Sequence, residues 1–280
     1  MSTLLCRLSS LGDVVLASGV TGGIGEVHFL TKPRLHPLVA RFQGVVATVD
    51  PQSPLAQTQA TVDLQNSRRS RALLRGRSPS RVDSERPLRL MRVWAKSQRP
   101  ATPVVQRYAD AAGVPVSEGP WIALDTLDHR IALVPGAAHA TKRWPHFAAL
   151  RRALSEPVIW LGGPDEDTLL QSLAHPQDRC IAESGVERTL EALAHSGVVV
   201  GGDTGLMHLA AACGIPTVPL FGPTHPLDGF WSHASPPLHL GLPCSPCSKH
   251  GGPRCPLRDH ACLQDLAVEV VVQAIQERRR

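Results

Sequence analysis

The chain has 280 residues, room for two domains of roughly 140 residues each. At 42% hydrophobic and 19% charged it can fill a packed core and is not globally disordered, and 4% aromatics with a single Tyr exclude an aromatic stacking surface for single-stranded nucleic acid. The net charge of +5 is uneven: from Arg68 to Arg107, eleven Arg and one Lys against Asp83 and Glu85 leave that segment at +10 and the rest at −5. Such a segment is either a basic face for an acidic partner or a solvated helical surface.

Short apolar runs alternate with amphipathic stretches, the pattern of parallel βα units. Thr3–Leu8 predicts a first strand, followed by the turn Ser9-Ser10-Leu11-Gly12-Asp13. Further strands are expected over Glu26–Thr31, Val45–Val49 and Thr61–Leu64, then helices over Leu88–Lys96 and Val104–Ala112. Gly113–Pro120, with two Pro and two Gly, marks a boundary between domains 1–120 and 121–280. Beyond it, strands are expected at Arg130–Val134, Val158–Leu161, Val198–Val200 and Thr217–Phe221. Helices are expected at Pro145–Leu154, Glu166–Ala174, Glu187–His195, Thr204–Cys213 and Leu263–Arg279. The longest uncharged run, Gly205–Leu227, is broken by Gly214, Pro216, Pro219, Gly222 and Pro223, so it does not read as a membrane helix. Arg7 and Asp13 interrupt the apolar N-terminus, which does not read as a signal peptide, and the expected location is cytoplasmic.

Four stretches could carry chemistry. In the turn after the first strand, Asp13 is either a general base or an acidic residue at a helix N-terminus. The stretch Pro135-Gly136-Ala137-Ala138-His139-Ala140-Thr141-Lys142-Arg143-Trp144-Pro145 joins strand to helix. Its small residues admit a ligand and Lys142 or Arg143 can neutralise a phosphate; otherwise it is a plain loop with exposed cations. The GxxxxGK[ST] spacing of a P-loop is absent. In Gly201-Gly202-Asp203-Thr204-Gly205-Leu206-Met207-His208, a helix start offers free amides to a diphosphate, and His208 is either part of that site or a partly buried helix residue. Finally, Cys244-x2-Cys247-x7-Cys255-x6-Cys262 is either a tetrahedral thiolate site for zinc or iron or four free thiols. Cys6, Cys180 and Cys213 stand singly and read as buried thiols.

Taken in order, these elements resemble glycosyltransferase family 9, the ADP-heptose:lipopolysaccharide heptosyltransferases. The resemblance is carried by Arg7–Val15, Asp63–Ser70, Pro135-Gly136-Ala137 with Lys142-Arg143-Trp144-Pro145, Gly162–Glu166, Gly202–Ala210 and Phe221–Thr224. It implies the α/β architecture GT-B, two Rossmann-like domains facing a cleft, with the acceptor in 1–120 and the nucleotide sugar in 121–280. It implies inverting transfer with Asp13 as general base, Lys142 against phosphate, and no metal or other cofactor in catalysis. Donor contacts would come from Gly12, Gly136, Ala137, Glu166 (to the ribose hydroxyls), Asp203, Thr204, Gly205 and His208. Asn66, Arg68, Arg69 and Arg71 would face an acidic glycolipid acceptor. Cys244, Cys247, Cys255 and Cys262 resemble a cluster in protein O-heptosyltransferases that hold iron, so a structural zinc or iron is expected.

The partners so implied are ADP-heptose, a lipopolysaccharide-core acceptor and peripheral contact with the inner membrane, with no nucleic acid. The rival readings are a protein O-heptosyltransferase and a catalytically silent nucleotide-sugar-binding protein. Retention of Asp13 and Lys142 together argues against the second rival. Where the family has a long amphipathic helix after Asp13, Gly19, Gly22, Gly23 and Gly25 predict only a stunted one.

Overall fold

Apolar side chains on both faces of the first strand call for cover on both sides, the situation of a central strand in a parallel sheet. β1 (Ser2–Cys6) is accordingly buried from Thr3 to Cys6 in this computed structural model. The structure describes residues 1–125, 127–182, 185–231 and 235–279. It divides into one unit of 1–85, 102–123 and 212–214, and a second of 86–101, 124–211 and 215 onward.

After β1 come α1 (Leu11–Ile24), β2 (Glu26–Leu30), the short α2 (His36–Val39), β3 (Val45–Val49), β4 (Ala60–Asp63), α3 (Arg68–Leu73) and β5 (Ser80–Arg81). Next are α4 (Arg86–Ala95), which belongs to the second unit, and α5 (Val104–Ala112), which returns to the first. The first sheet is wholly parallel in the order β3-β2-β1-β4-β5. Contrary to expectation, α1 is a full helix of 14 residues, buried from Val14 to Thr21. Its glycines serve close packing: a Cβ at Gly19 would stand 2.8 Å from Val105 Cγ2 and 3.0 Å from Trp121 Cε2.

The second sheet is built from β6 (Arg130–Val134), β7 (Ile159–Leu161), β8 (Arg179–Ile181), β9 (Ser196–Gly202) and β10 (Thr217–Leu220), parallel in the order β10-β9-β6-β7-β8. The helices between them are α6 (Phe147–Ala153), α7 (Asp167–Leu173), α8 (Val186–Ala194) and α9 (Gly205–Ala212), and α10 (Ala261–Gln264) and α11 (Val268–Arg278) follow. Its core joins Ile131, Leu133, Trp160, Val198 and Val200 of the sheet to Trp144, Phe147, Leu263 and Val271. Asp178 ties this side together, accepting from Arg151, Trp160, His175 and Val158. Burial opposes its charge, but these donors outweigh it and bring the carboxyl down to about 2. The single closing helix expected over Leu263–Arg279 is split. Trp144 Nε1 donates to Leu266 O at 3.0 Å and His146 Nε2 lies 2.7 Å from Gln264 O, so side chains occupy carbonyls a continuous helix would use.

In each sheet the first strand of the unit lies inside, and the winding reverses beside it: between β1 and β4, and between β6 and β9. Open α/β sheets bind ligands outside the carboxyl ends of such strands. Residues 7–13 and 63–70 emerge at the first reversal, and residues 135–143 and 203–208 at the second.

Candidate active site

At the first reversal, Asp13 sits in the first turn of α1 with both oxygens engaged. Oδ2 accepts from the Ser10 amide (3.0 Å) and hydroxyl (2.8 Å), so the carboxylate serves the helix N-terminus. Oδ1 meets Arg7 Nη2 at 2.6 Å. Arg7 also donates to Leu64 O at 2.6 Å, which fixes the loop after β4, and stands over the Tyr108 ring at 5.7 Å. Burial would raise the Asp13 pKa, but the Arg7 charge and the Ser10 donors outweigh it and hold the carboxyl below its ordinary value. Asp13 is therefore an ionised, partly buried carboxylate, which is what a general base requires.

The loop after β4 is organised by buried Asp63, which accepts from Gln65 N, Asn66 N and Ser70 Oγ. Asn66, at φ 44°, donates to Val82 O and accepts from Arg71 Nε and Nη2. These two expected acceptor residues thus hold the loop, while Arg68 and Arg69 project outward from α3. Arg69 lines a pocket of about 320 Å³ with Lys32, Arg34 and Asp50, at the carboxyl ends of β2, β3 and β4. Asp50 accepts from Gln52 N within its own turn, so cations dominate the pocket. Sequence reading missed Lys32 and Arg34, because they lie apart from the Arg-rich run.

That run is divided between the two units. Arg68–Arg81 and Arg107 belong to the first unit and Arg86–Arg99 to the second. Arg107 is buried, and Arg92 is fully buried against Asp228 at 2.8 Å.

At the second reversal, Lys142 Nζ meets Asp203 at 2.7 Å. Thr224 Oγ1 donates to the same carboxylate at 2.9 Å, and His208 Nε2 stands 3.8 Å away, its ring 5.2 Å from that of Trp231. Burial alone would raise Asp203, but His208 and Lys142 hold it well below the carboxylate range. Gly205 opens α9, and the Thr204 hydroxyl beside it is buried with no hydrogen-bond partner among the described residues. A buried hydroxyl left so has a cost that an incoming polar ligand would relieve. Glu166 receives the Gly163 amide at 2.8 Å and lies over Gly136, where a Cβ would come within 1.8 Å of Oε1, so a side chain there would displace the carboxylate. Ala137 O is taken by Arg143 Nε and Nη2, so Arg143 closes the loop and Lys142 is left to face the helix start. The second unit therefore gathers Gly136, Lys142, Glu166, Asp203, Thr204, Gly205 and His208 along one sheet edge, while Gly12 lies buried in α1 of the first.

The segment carrying Cys244, Cys247, Cys255 and Cys262 packs on that loop. Thr141 exchanges hydrogen bonds with Gly252, and His260 Nε2 lies 2.7 Å from Thr141 O. All four cysteines are free thiols, and among the described residues no three His, Cys, Asp or Glu side chains stand together as a formed metal site. The thiols do feel one another: burial first, then Cys247, Cys244 and Cys255, push Cys262 up to about 12. Cys6 and Cys213 are buried as expected, whereas Cys180 is half-exposed on edge strand β8.

A family model described as glycosyltransferase family 9 (heptosyltransferase) matches residues 32–253. Lipopolysaccharide heptosyltransferase 1 of Pseudomonas aeruginosa is 43% identical over 152 residues, 50% of this chain and 42% of that protein. The chain spans about half the length of the curated relatives it matches. Among solved structures, an E. coli ADP-heptose lps heptosyltransferase II is similar with TM-score 0.75 and 18% identity, covering 100% of this chain and 98% of that one. The iron-containing dodecameric glycosyltransferase TibC of enterotoxigenic E. coli follows at TM-score 0.66 and 16% identity, covering 100% and 76%. These likenesses show the fold; no helix of the described residues is long and apolar enough to cross a membrane.

Proposed function

The chain belongs to glycosyltransferase family 9 (heptosyltransferase), and on that premise we propose that it transfers a heptose from ADP-heptose to a lipopolysaccharide-core acceptor, with inversion at the anomeric carbon. The observation that carries the reading is the second-unit edge. There a lysine, a helix N-terminus and a buried unsatisfied hydroxyl converge where a nucleotide diphosphate would lie. In the reaction, the acceptor hydroxyl oxygen attacks the anomeric carbon as the bond to the diphosphate oxygen breaks. Asp13 takes the hydroxyl proton. The negative charge that collects on departing ADP meets Lys142 and the α9 amides, which need no reorganisation to receive it. Glu166 suits the ribose hydroxyls, since a carboxylate accepts from both. Catalysis is assigned to these groups, with no metal in the transfer step. An acidic, lipid-linked acceptor fits the cationic pocket of Lys32, Arg34 and Arg69 and would bring the enzyme to the cytoplasmic face of the inner membrane.

We also propose that Cys244, Cys247, Cys255 and Cys262 hold one structural metal ion, zinc or iron. Burial and then the neighbouring thiols raise Cys262 and Cys247, and four thiols grouped in one segment are a donor set a metal would satisfy, because metal binding deprotonates thiols. TibC, a structural relative, is iron-containing, which keeps iron beside zinc.

The deciding experiment incubates the protein with ADP-heptose and either lipid or protein acceptors and measures ADP release. Asp13→Asn should bind ADP nearly as wild type and lose about 10²–10⁴ in turnover, the range for a general base. Wild-type turnover in this variant would overturn the assignment of Asp13. ADP release with neither acceptor class would overturn the transferase reading.

A further inference from the structure

We propose that the outward face of α4 seats the protein on an anionic lipid surface. The observation is a helix turned inside out. A surface helix ordinarily buries its apolar stripe and exposes its cations. In α4, Arg92 is 0% exposed, donating to Asp228, Leu227 O and Arg99 O. Leu90, Met91 and Trp94 face out at 44%, 53% and 79% exposure. Positions 87, 90, 91 and 94 share one side of a helix, so Pro87, also exposed, extends the same stripe. Trp94 is the most exposed large apolar side chain among the described residues. A clustered apolar stripe of this kind marks an interaction surface, whereas single exposed residues do not.

Charge selects the occupant. Residues 86–101 contain five cations and no carboxylate. Arg92 is neutralised by Asp228, while Arg86 and Arg99 are exposed. A second copy of the chain would bring the same cations against them and be repelled. A layer of acidic headgroups would attract them, and its acyl boundary would accept Leu90, Met91 and the amphipathic Trp94 ring. Tryptophan and cations at this depth are the usual composition of an interfacial helix. Seating on lipid deepens the reading of a lipid-linked acceptor, but it rests on α4 alone.

The test uses the full chain and vesicles of phosphatidylglycerol with phosphatidylcholine, carrying no glycan, without nucleotide sugar. Sedimentation measures binding, and tryptophan emission reports the α4 face, because Trp144, Trp160 and Trp231 are buried and Trp121 is partly so. The expected result is binding with a blue shift, weakened by salt and by removal of the acidic lipid. Trp94→Ser, and separately the double change Leu90→Ser with Met91→Ser, should weaken partition by about tenfold or more, the scale of losing one buried apolar side chain. These side chains are exposed, so unchanged melting temperatures are expected in both variants. Absence of vesicle binding, or equal binding by wild type and both variants, would overturn the proposal. Self-association that Trp94→Ser abolishes, without vesicle binding, would also overturn it and assign the face to a second copy. Transfer to a water-soluble acceptor, run without vesicles, tests the transferase reading separately, so the two can fail independently.

Discussion

Arg7 and Asp13 hold each other at 2.6 Å, and this pair sets how the proposed base responds to pH. With Arg7 present, Asp13 stays ionised below the ordinary carboxylate range. Arg7→Met would leave the carboxylate partly buried without its cation, so the burial contribution, which raises the pKa, would dominate. The acid limb of kcat/KM should then move to higher pH, and turnover at neutral pH should fall because the carboxylate loses its fixed orientation. A pH profile of both proteins checks this; a limb that stays in place means that Asp13 is not the titrating group. Asp13 stands out in the sequence as a carboxylate in the turn after an apolar run, and the resemblance alone suggests its role as base. The role of Arg7 is not legible, since one cation ending a strand produces no periodic signal. Its partners Leu64 O and the Tyr108 ring are distant in the chain. The contact of Thr224 with Asp203 is illegible for the same reason, since it spans 21 residues.

At the scale of elements, α1 shows where pattern reading fails. Four glycines and no polar stripe suggest a stunted helix, yet from Val14 to Thr21 α1 is buried on every side and so has no polar face to display there. Its glycines mark close neighbours: Val105 and Trp121 at Gly19, Gln43 at Gly22, and Val114 at Gly23. Gly19→Ala tests this. In an exposed helix the change would add about 1 kcal/mol of stability. Here the new methyl meets Val105 Cγ2 at 2.8 Å, and overpacking costs about 1–3 kcal/mol. The expected net result is a lower urea midpoint with an unchanged slope; a higher midpoint would show that α1 has room beside α5. The central strands of both sheets are legible because double burial makes them continuous apolar runs. β5, two residues at an edge, has no run to read, and α3 opens with Arg68 and Arg69, charges unfavourable at a helix N-terminus. The Ser67 hydroxyl, accepting from Ser70 N at 3.1 Å, starts α3 nonetheless.

At the scale of the whole chain, order in sequence and membership in space part company. Residues 86–101 lie between two stretches of the first unit yet pack in the second, where Arg92 and Asp228 meet across 136 positions. A net charge count along the chain has no access to that partition, which is why the Arg-rich run reads as one surface although its residues fall in two units. The Cys segment likewise acts far from its own position. Lys96 donates to Cys244 O at 2.8 Å and Pro246 O at 2.7 Å, Cys247 N donates to Pro223 O, and Gly252 and His260 engage Thr141 beside Lys142. A metal held by the four cysteines would therefore brace the loop that presents Lys142. It would bind only the folded chain, so its removal subtracts binding energy from stability. Elemental analysis of protein purified without added metal should find one ion per chain, and a coloured protein would indicate iron. Chelation should lower Tm by about 5–10 °C, the equivalent of about 2–3 kcal/mol in a protein of this size. Because the braced loop carries Lys142, which meets charge on the bound donor and more on departing ADP, the KM for ADP-heptose should rise and kcat should fall. Mixed, substoichiometric zinc and iron, or chelation that leaves Tm and donor KM unchanged, would show that the four cysteines are ordinary thiols and that Thr141, Gly252 and His260 hold the loop unaided.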